Sequence, residues 1–113
     1  MSDSPIIVVS FKDIETSEVL RERLEKSCQA LAEEFPETTH FDITLAPDGA
    51  GHSAHGHVTG RQLEVAGHTE AIDLAHAANK LIDTLHKLLR KVHDKHRFAQ
   101  RREAQIDSTR RRG

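Results

Sequence analysis

The side chains of this sequence best suited to chemistry are basic, and they are concentrated in its last third. From residue 80 onward there are 11 Lys and Arg against 4 Asp and Glu, a net charge of +7, whereas residues 1–79 hold 5 against 14, a net charge of -9. The total charge of -2 hides this separation. A basic block of this kind is typical of a surface that binds the phosphates of a nucleic acid. The alternative is an ordinary solvated helix face.

Nine histidines raise the question of a metal site. His52, His55 and His57 are close in sequence, and His55 and His57 would share one face of a strand. No cysteine or carboxylate pair completes a ligand set beside them, so we predict no metal ligands here. Three others are expected to extend the polar face of the last helix and to add positive charge in acid. They are His86, His93 and His96.

Catalytic patterns are weak in this sequence. There is no glycine-rich phosphate loop, and Cys28 falls on an apolar helical stripe, where a buried and inert thiol is expected. Asp42 and Glu64 could face each other on an open sheet face, but exposed strand carboxylates are usually just solvated. We therefore predict a protein that is not an enzyme, with no cofactor and no small-molecule substrate.

The start of the chain, MSDSPIIVVSF, is too short in apolar residues for a signal peptide or a membrane span. With a single cysteine no intramolecular disulfide can form. A reduced, cytoplasmic setting without a membrane partner is therefore expected.

A long helix must position the basic residues. No glycine or proline interrupts the segment 70–98, and its apolar residues recur every three or four positions, which places them on one stripe. Beyond it, residues 99–113 are predicted to form a basic, disordered tail that closes with three arginines. The apolar stripe consists of Ile72, Ala75, Ala78, Ile82, Leu85, Leu89 and Val92.

The preceding residues predict one small domain, 1–98. The β-branched run at residues 6–9 is typical of a strand buried on both faces inside a sheet. Ser17 is expected to cap a helix that ends before Pro36, and further strands are predicted at 40–45, 54–59 and 62–66, the last one closed by Gly67. The result is an α+β fold of two layers, β-α-β-β-β-α, with both helices packed on one face of a four-stranded mixed sheet. The first two strands should be parallel, and the later hairpins antiparallel.

Three stretches of the chain, SEVLRERLEKSCQALAEEF, AHGHVTG and LIDTLHKLLRKVHDK, resemble the ribosome hibernation-promoting factor family. That family includes the ribosome-associated inhibitor A and the proteins once described as sigma-factor modulation proteins, and the similarity covers residues 6 to about 97. It implies a domain that binds the small ribosomal subunit in the channel of mRNA and tRNA anticodon arms. Occupying that channel would silence translation under stress.

The resemblance also implies which residues meet rRNA phosphates. Arg21 falls on a basic position of the family's first helix, and Lys87, Lys91 and Lys95 fall on basic positions of its second. The chain departs from the family at four positions where lysines are frequent: Ser27, Ala30, Thr84 and His93. The full set that we predict to bind rRNA is Arg21, Lys26, Lys80, Lys87, Arg90, Lys91, Lys95, Arg97, Arg101 and Arg102.

The aromatic content favours phosphate contacts over base stacking. The chain has no Trp, no Tyr and four Phe, whereas proteins that bind single strands usually stack bases on aromatic rings. Two alternatives remain open at this point. One is a protein–protein regulatory module that uses the acidic first part, such as a transcription-factor modulator, and the other is a histidine-based metal-binding domain.

Overall fold

A four-stranded sheet carries two helices on one of its faces. The computed structural model describes the main chain of residues 4–112 and the side chains of residues 4–95. The elements follow in the predicted order, β-α-β-β-β-α. They are β1 (Ile6–Phe11), α1 (Glu18–Glu34), β2 (Thr38–Asp48), β3 (Gly51–Gly60), β4 (Leu63–Ala71) and α2 (Leu74–Arg112).

The strands lie side by side in chain order, β1-β2-β3-β4. β1 pairs with β2 in parallel, as the crossover through α1 predicts, and β2, β3 and β4 form an antiparallel meander. Gly49 adopts a φ of 61° in the short turn between β2 and β3, a conformation that costs glycine little. The fold class predicted from the sequence is confirmed.

The core lies between the helices and the inner face of the sheet. Alternate residues of each strand point inward, so that Phe41, Ile43 and Leu45 of β2 are completely buried. α1 contacts β1 and β2, while α2 contacts β3 and β4. The helices contribute Leu20, Leu24, Cys28, Leu31, Ala77, Ala78, Leu81, Leu85 and Leu89 to this core.

Two expectations about the strands are wrong. β1 lies at the edge of the sheet instead of inside it, and because the helices cover only one sheet face, Ile6 and Val8 remain 59% and 40% exposed. β4 also continues past Gly67 to Ala71, since Thr69 and Ala71 pair with Ala54 and His52 of the long strand β3.

α2 begins later and ends later than predicted. Ile72 precedes the helix and is 87% exposed, so it does not belong to the buried stripe. The helical main chain continues to Arg112, beyond the predicted boundary at residue 98, because no helix breaker occurs before Gly113. The side chains of residues 96–113 lie outside the described part, and a separate basic tail at 99–113 stays a prediction. Neither helix has, in the described residues, a stretch apolar and long enough to cross a lipid bilayer.

Candidate nucleic-acid interface

One flank of α2 carries four of the predicted lysines. Lys80, Lys87, Lys91 and Lys95 are seven, four and four residues apart, which at about 100° per residue keeps them within roughly 80° around the helix axis. The ammonium of Lys80 donates a hydrogen bond of 2.7 Å to the main-chain oxygen of Glu70 in β4. This set, the lysine stripe, therefore lies on the β4 side of α2, away from α1.

The lysine stripe is mostly available for a partner. Lys87 pairs with Asp83 one turn earlier at 3.3 Å, with both side chains more than 60% exposed, and exposed pairs of this kind contribute little and yield readily to a stronger anion. Lys91 and Lys95 are exposed and form no ion pair within residues 4–95. The stripe can thus offer ammonium groups to phosphate oxygens with little loss of existing interactions.

Arg90 points to the other side of α2 and binds α1. Its guanidinium lies 3.0 Å from one carboxylate oxygen of Glu34, and the ring of His86 donates to the other oxygen, also at 3.0 Å. Three residues further on, His93 donates to Glu37 at 3.1 Å. Arg90, predicted to bind rRNA, therefore forms an ion pair between the two helices, with its side chain still 59% exposed.

The histidines of α2 have the same role. The ring of Phe35 packs against both His86 and His93, with centroids 5.8 Å apart in each case. The expectation that these two histidines simply extend a solvated polar face is wrong, because α1 covers that side of the helix. The spacing of residues 86, 90 and 93 puts all three on one face, but only the packing of the helices shows what this face meets.

Arg21 of α1 turns away from α2 altogether. Its guanidinium donates to the main-chain oxygen of Val9 at 2.9 Å, lies 5.5 Å from the ring centroid of Phe11, and is 3.4 Å from Glu18. These contacts place Arg21 at the β1 edge of the sheet, opposite to the β4 side that carries the lysine stripe. Lys26 is exposed on α1. Arg21 and the lysine stripe therefore do not form one surface.

The groove between α1 and α2 is also unsuited to phosphate. Its rim carries the carboxylates of Glu34 and Asp83, and its floor includes Leu31 and Ile82. Arg23 reaches across it to Asn79 at 3.3 Å. Two positions where related proteins are expected to have lysines line this groove, Ser27 and Ala30.

The position of Thr84, a third departure from the family pattern, accounts for the absence of a lysine there. It is half-buried, and a methyl group added to Gly67 of β4 would lie 3.2 Å from its Cγ2. The side chain of a lysine at this position would have to bend away from β4 to bring its ammonium group into solvent. The three remaining predicted sites, Arg97, Arg101 and Arg102, lie on α2 with their side chains outside the described part.

The groups considered for chemistry are not brought together. Cys28 is fully buried, and burial raises the pKa of its thiol to about 12, with the Glu25 carboxylate adding to the effect. Asp42 and Glu64 lie on β2 and β4, two strands apart, and Glu64 accepts a 2.6 Å hydrogen bond from His57. The structure therefore gives no support to a carboxylate dyad.

The three histidines that are close in sequence, His52, His55 and His57, do not all lie on one face of the sheet. His55 and His57 lie on its outer face, while His52 belongs to the other set of alternate residues and its Nδ1 lies 3.2 Å from the main-chain oxygen of Ile72. A metal site built from His52 and His55 does not form.

Comparisons with known proteins agree with this architecture. The model of the family described as sigma 54 modulation protein / S30EA ribosomal protein matches residues 7–97. The N-terminal domain of protein Y from Thermus thermophilus is similar in structure, with a TM-score of 0.70 and 19% sequence identity, over 78% of this chain and 98% of that one. A ribosomal subunit interface protein from Coxiella burnetii gives a TM-score of 0.72 at 18% identity, over 78% and 97%. No curated protein matches the chain.

Proposed function

This chain belongs to the sigma 54 modulation protein / S30EA ribosomal protein family, a family of ribosome-associated factors and not of enzymes, and on that premise we propose that it silences translation by binding the small ribosomal subunit. The contact is with rRNA phosphates in the channel that mRNA and tRNA anticodon arms occupy. The protein acts in the cytoplasm under stress, without catalysis.

The lysine stripe is the observation that carries this proposal. Its four ammonium groups follow one flank of a long helix, and of these four only Lys87 forms an ion pair within residues 4–95, whereas Arg21 and Arg90 both have intramolecular partners. We assign the primary rRNA contact to Lys80, Lys87, Lys91 and Lys95. Arg97, Arg101 and Arg102 extend the basic sequence along the same helix, and Lys26 adds a contact from α1.

Phosphate binding makes affinity depend on salt. Each neutralised phosphate releases counterions, so four contacts give a log–log slope of association constant against salt of roughly -3. Arg21 and Arg90 contribute less than their charge suggests, because their guanidinium groups already have partners.

Co-sedimentation with purified small subunits across a salt series tests the proposal. The variant Lys87→Glu/Lys91→Glu reverses two charges of the stripe, and Lys12→Glu/Arg61→Glu is a control with the same change in net charge at two exposed positions outside it. We expect the stripe variant to lose binding at moderate salt and to show a slope shallower by about 2, while the control binds almost like the wild type.

Two results would count against this function. Equal losses in both double variants would mean that net charge, and not the stripe, drives the association. If the wild type does not pellet with small subunits even at low salt, ribosome binding fails, and a protein-binding role of the acidic part becomes the better hypothesis.

A further inference from the structure

The outer face of the sheet brings three metal-ligating side chains together beside the β2–β3 turn. One ligand atom each of Asp48, His68 and Glu70 lies within 4.8 Å of those of the other two. The distance from His68 Nε2 to Glu70 Oε2 is 3.8 Å. All three side chains are exposed and lie on the side of the sheet opposite to both helices.

The strand geometry explains why these residues meet. His68 and Glu70 are two residues apart on β4 and so share its outer face. Asp48 ends β2 and pairs with Gly51 across the tight turn, while Ser53 of the same hairpin pairs with Glu70. The ligands thus come from the end of one strand and from a strand two places away, which sequence spacing alone does not reveal.

A neighbouring ring fixes the orientation of the imidazole. His55 is the direct cross-strand partner of His68, and their rings stack with centroids 4.2 Å apart and planes inclined by 25°. This stacking limits the rotation of the His68 ring about its side-chain bonds. His55 is a positioning residue in this arrangement.

The local charge favours a cation. Within residues 4–95, neither Asp48 nor Glu70 forms an ion pair with a lysine or an arginine, and the nearby ammonium of Lys80 binds the main-chain oxygen of Glu70. Two carboxylates beside one imidazole leave a concentration of negative charge that a divalent ion would neutralise.

We propose that Asp48, His68 and Glu70 bind one divalent transition-metal ion of the zinc class. Zinc takes imidazole nitrogen and carboxylate oxygen at about 2.0 to 2.2 Å, whereas magnesium prefers oxygen ligands only. Because the side chains of Asp48 and Glu70 are exposed, changes of their rotamers can close the spacing onto an ion held at the His68 ring. Three protein ligands leave a coordination position for water.

The bound ion would tie the end of β2 to β4 across the sheet. None of the three ligand side chains belongs to the lysine stripe, which adjoins the site at Lys80, whose ammonium binds the main-chain oxygen of Glu70. A ligand that binds only the folded protein raises its stability. Zinc is therefore expected to raise the melting temperature, and a chelator should reverse the effect.

Isothermal titration of the full-length protein with zinc chloride at neutral pH tests the proposal. We expect one zinc per chain in the wild type and at least about a tenfold loss of affinity in His68→Ala and in the isosteric variant Glu70→Gln. Two histidine variants are matched controls: His76→Ala, exposed on α2, and His57→Ala, on the same sheet face but paired with Glu64. Both should bind zinc like the wild type.

Circular dichroism of each variant separates loss of ligand from loss of fold, and Glu70→Gln gives a second variant should His68→Ala fail to fold. The proposal is overturned if His68→Ala and Glu70→Gln bind zinc unchanged. It is equally overturned if His57→Ala abolishes binding, or if a large excess of magnesium displaces the zinc.

Discussion

Neighbouring cations on one helix have different roles here because of what surrounds each one. Lys87 projects into solvent beside a single exposed carboxylate, while Arg90, three residues later, lies against Glu34 of the other helix. Both residues were predicted from the sequence to bind rRNA, on charge and spacing alone. Their ion pairs differ, since that of Lys87 lies within α2 and that of Arg90 joins α2 to α1.

The buried thiol gives a prediction at this scale. Burial raises the pKa of Cys28 from 9.0 to about 12, helped by Glu25. A thiol whose pKa is raised on folding contributes stability that is complete below about pH 9 and is lost as the pH rises towards 12. Urea unfolding at about pH 8 and pH 10 should therefore show the wild type losing about 1 kcal/mol more than Cys28→Ala. Equal losses in the two proteins would contradict it, as would rapid alkylation of Cys28 in the native state.

Two paired glycines set how closely α2 approaches the sheet. Gly56 of β3 and Gly67 of β4 are cross-strand partners on the inner face, and the buried side chains of Leu81 and Leu85 fill the space above them. A methyl group added at Gly56 would lie 2.9 Å from Leu85 Cδ1 and 3.2 Å from Leu81 Cδ2. Since both leucines are fully buried, neither can move aside freely.

Gly56→Ala is accordingly expected to lower the free energy of unfolding by about 1 to 3 kcal/mol through overpacking. Gly67→Ala, whose contacts begin at 3.2 Å, is the matched comparison and should lose less. Chemical denaturation of both variants measures the difference. A Gly56→Ala protein as stable as the wild type would mean that α2 shifts without cost.

The positions of the helices and strands could be predicted from the sequence better than the contacts between them. Helical spacing located α1 and α2, and the change to a period of two located β2, because both patterns depend only on which face is buried. The β-branched run at residues 6–9 predicts an interior strand but forms an edge strand, because the two kinds of strand can have the same residue types. Contacts between residues far apart in the chain cannot be predicted from a local pattern. Examples are the contacts of Glu34 with His86 and Arg90, and the approach of Asp48 to His68.

At the scale of the whole molecule, the basic residues continue along α2 beyond the core. The buried core of the described residues reaches Leu89, while the helical main chain continues to Arg112. Residues 99–113 add five arginines against two acidic residues. This segment has the charge to bind further phosphates.

Deleting residues 99–113 should therefore weaken the association with small subunits and make the salt slope shallower by roughly 2 to 4. The melting temperature should change by only a few degrees, because the described core does not include this segment. Co-sedimentation and a thermal melt of the shortened chain check both expectations. A chain that no longer melts cooperatively would show instead that these residues belong to the folded domain.

The separation of charge along the chain also gives the molecule an electric dipole moment. The net charge is -9 over residues 1–79 and +7 from residue 80 onward, and the lysine stripe flanks α2 on the side opposite to the carboxylates of α1. In the field of a polyanion such a dipole experiences a torque that turns the basic flank forward before any contact is made. The orientation would be set during approach, at distances of about one Debye length, so that added salt slows the encounter itself as well as weakening the complex.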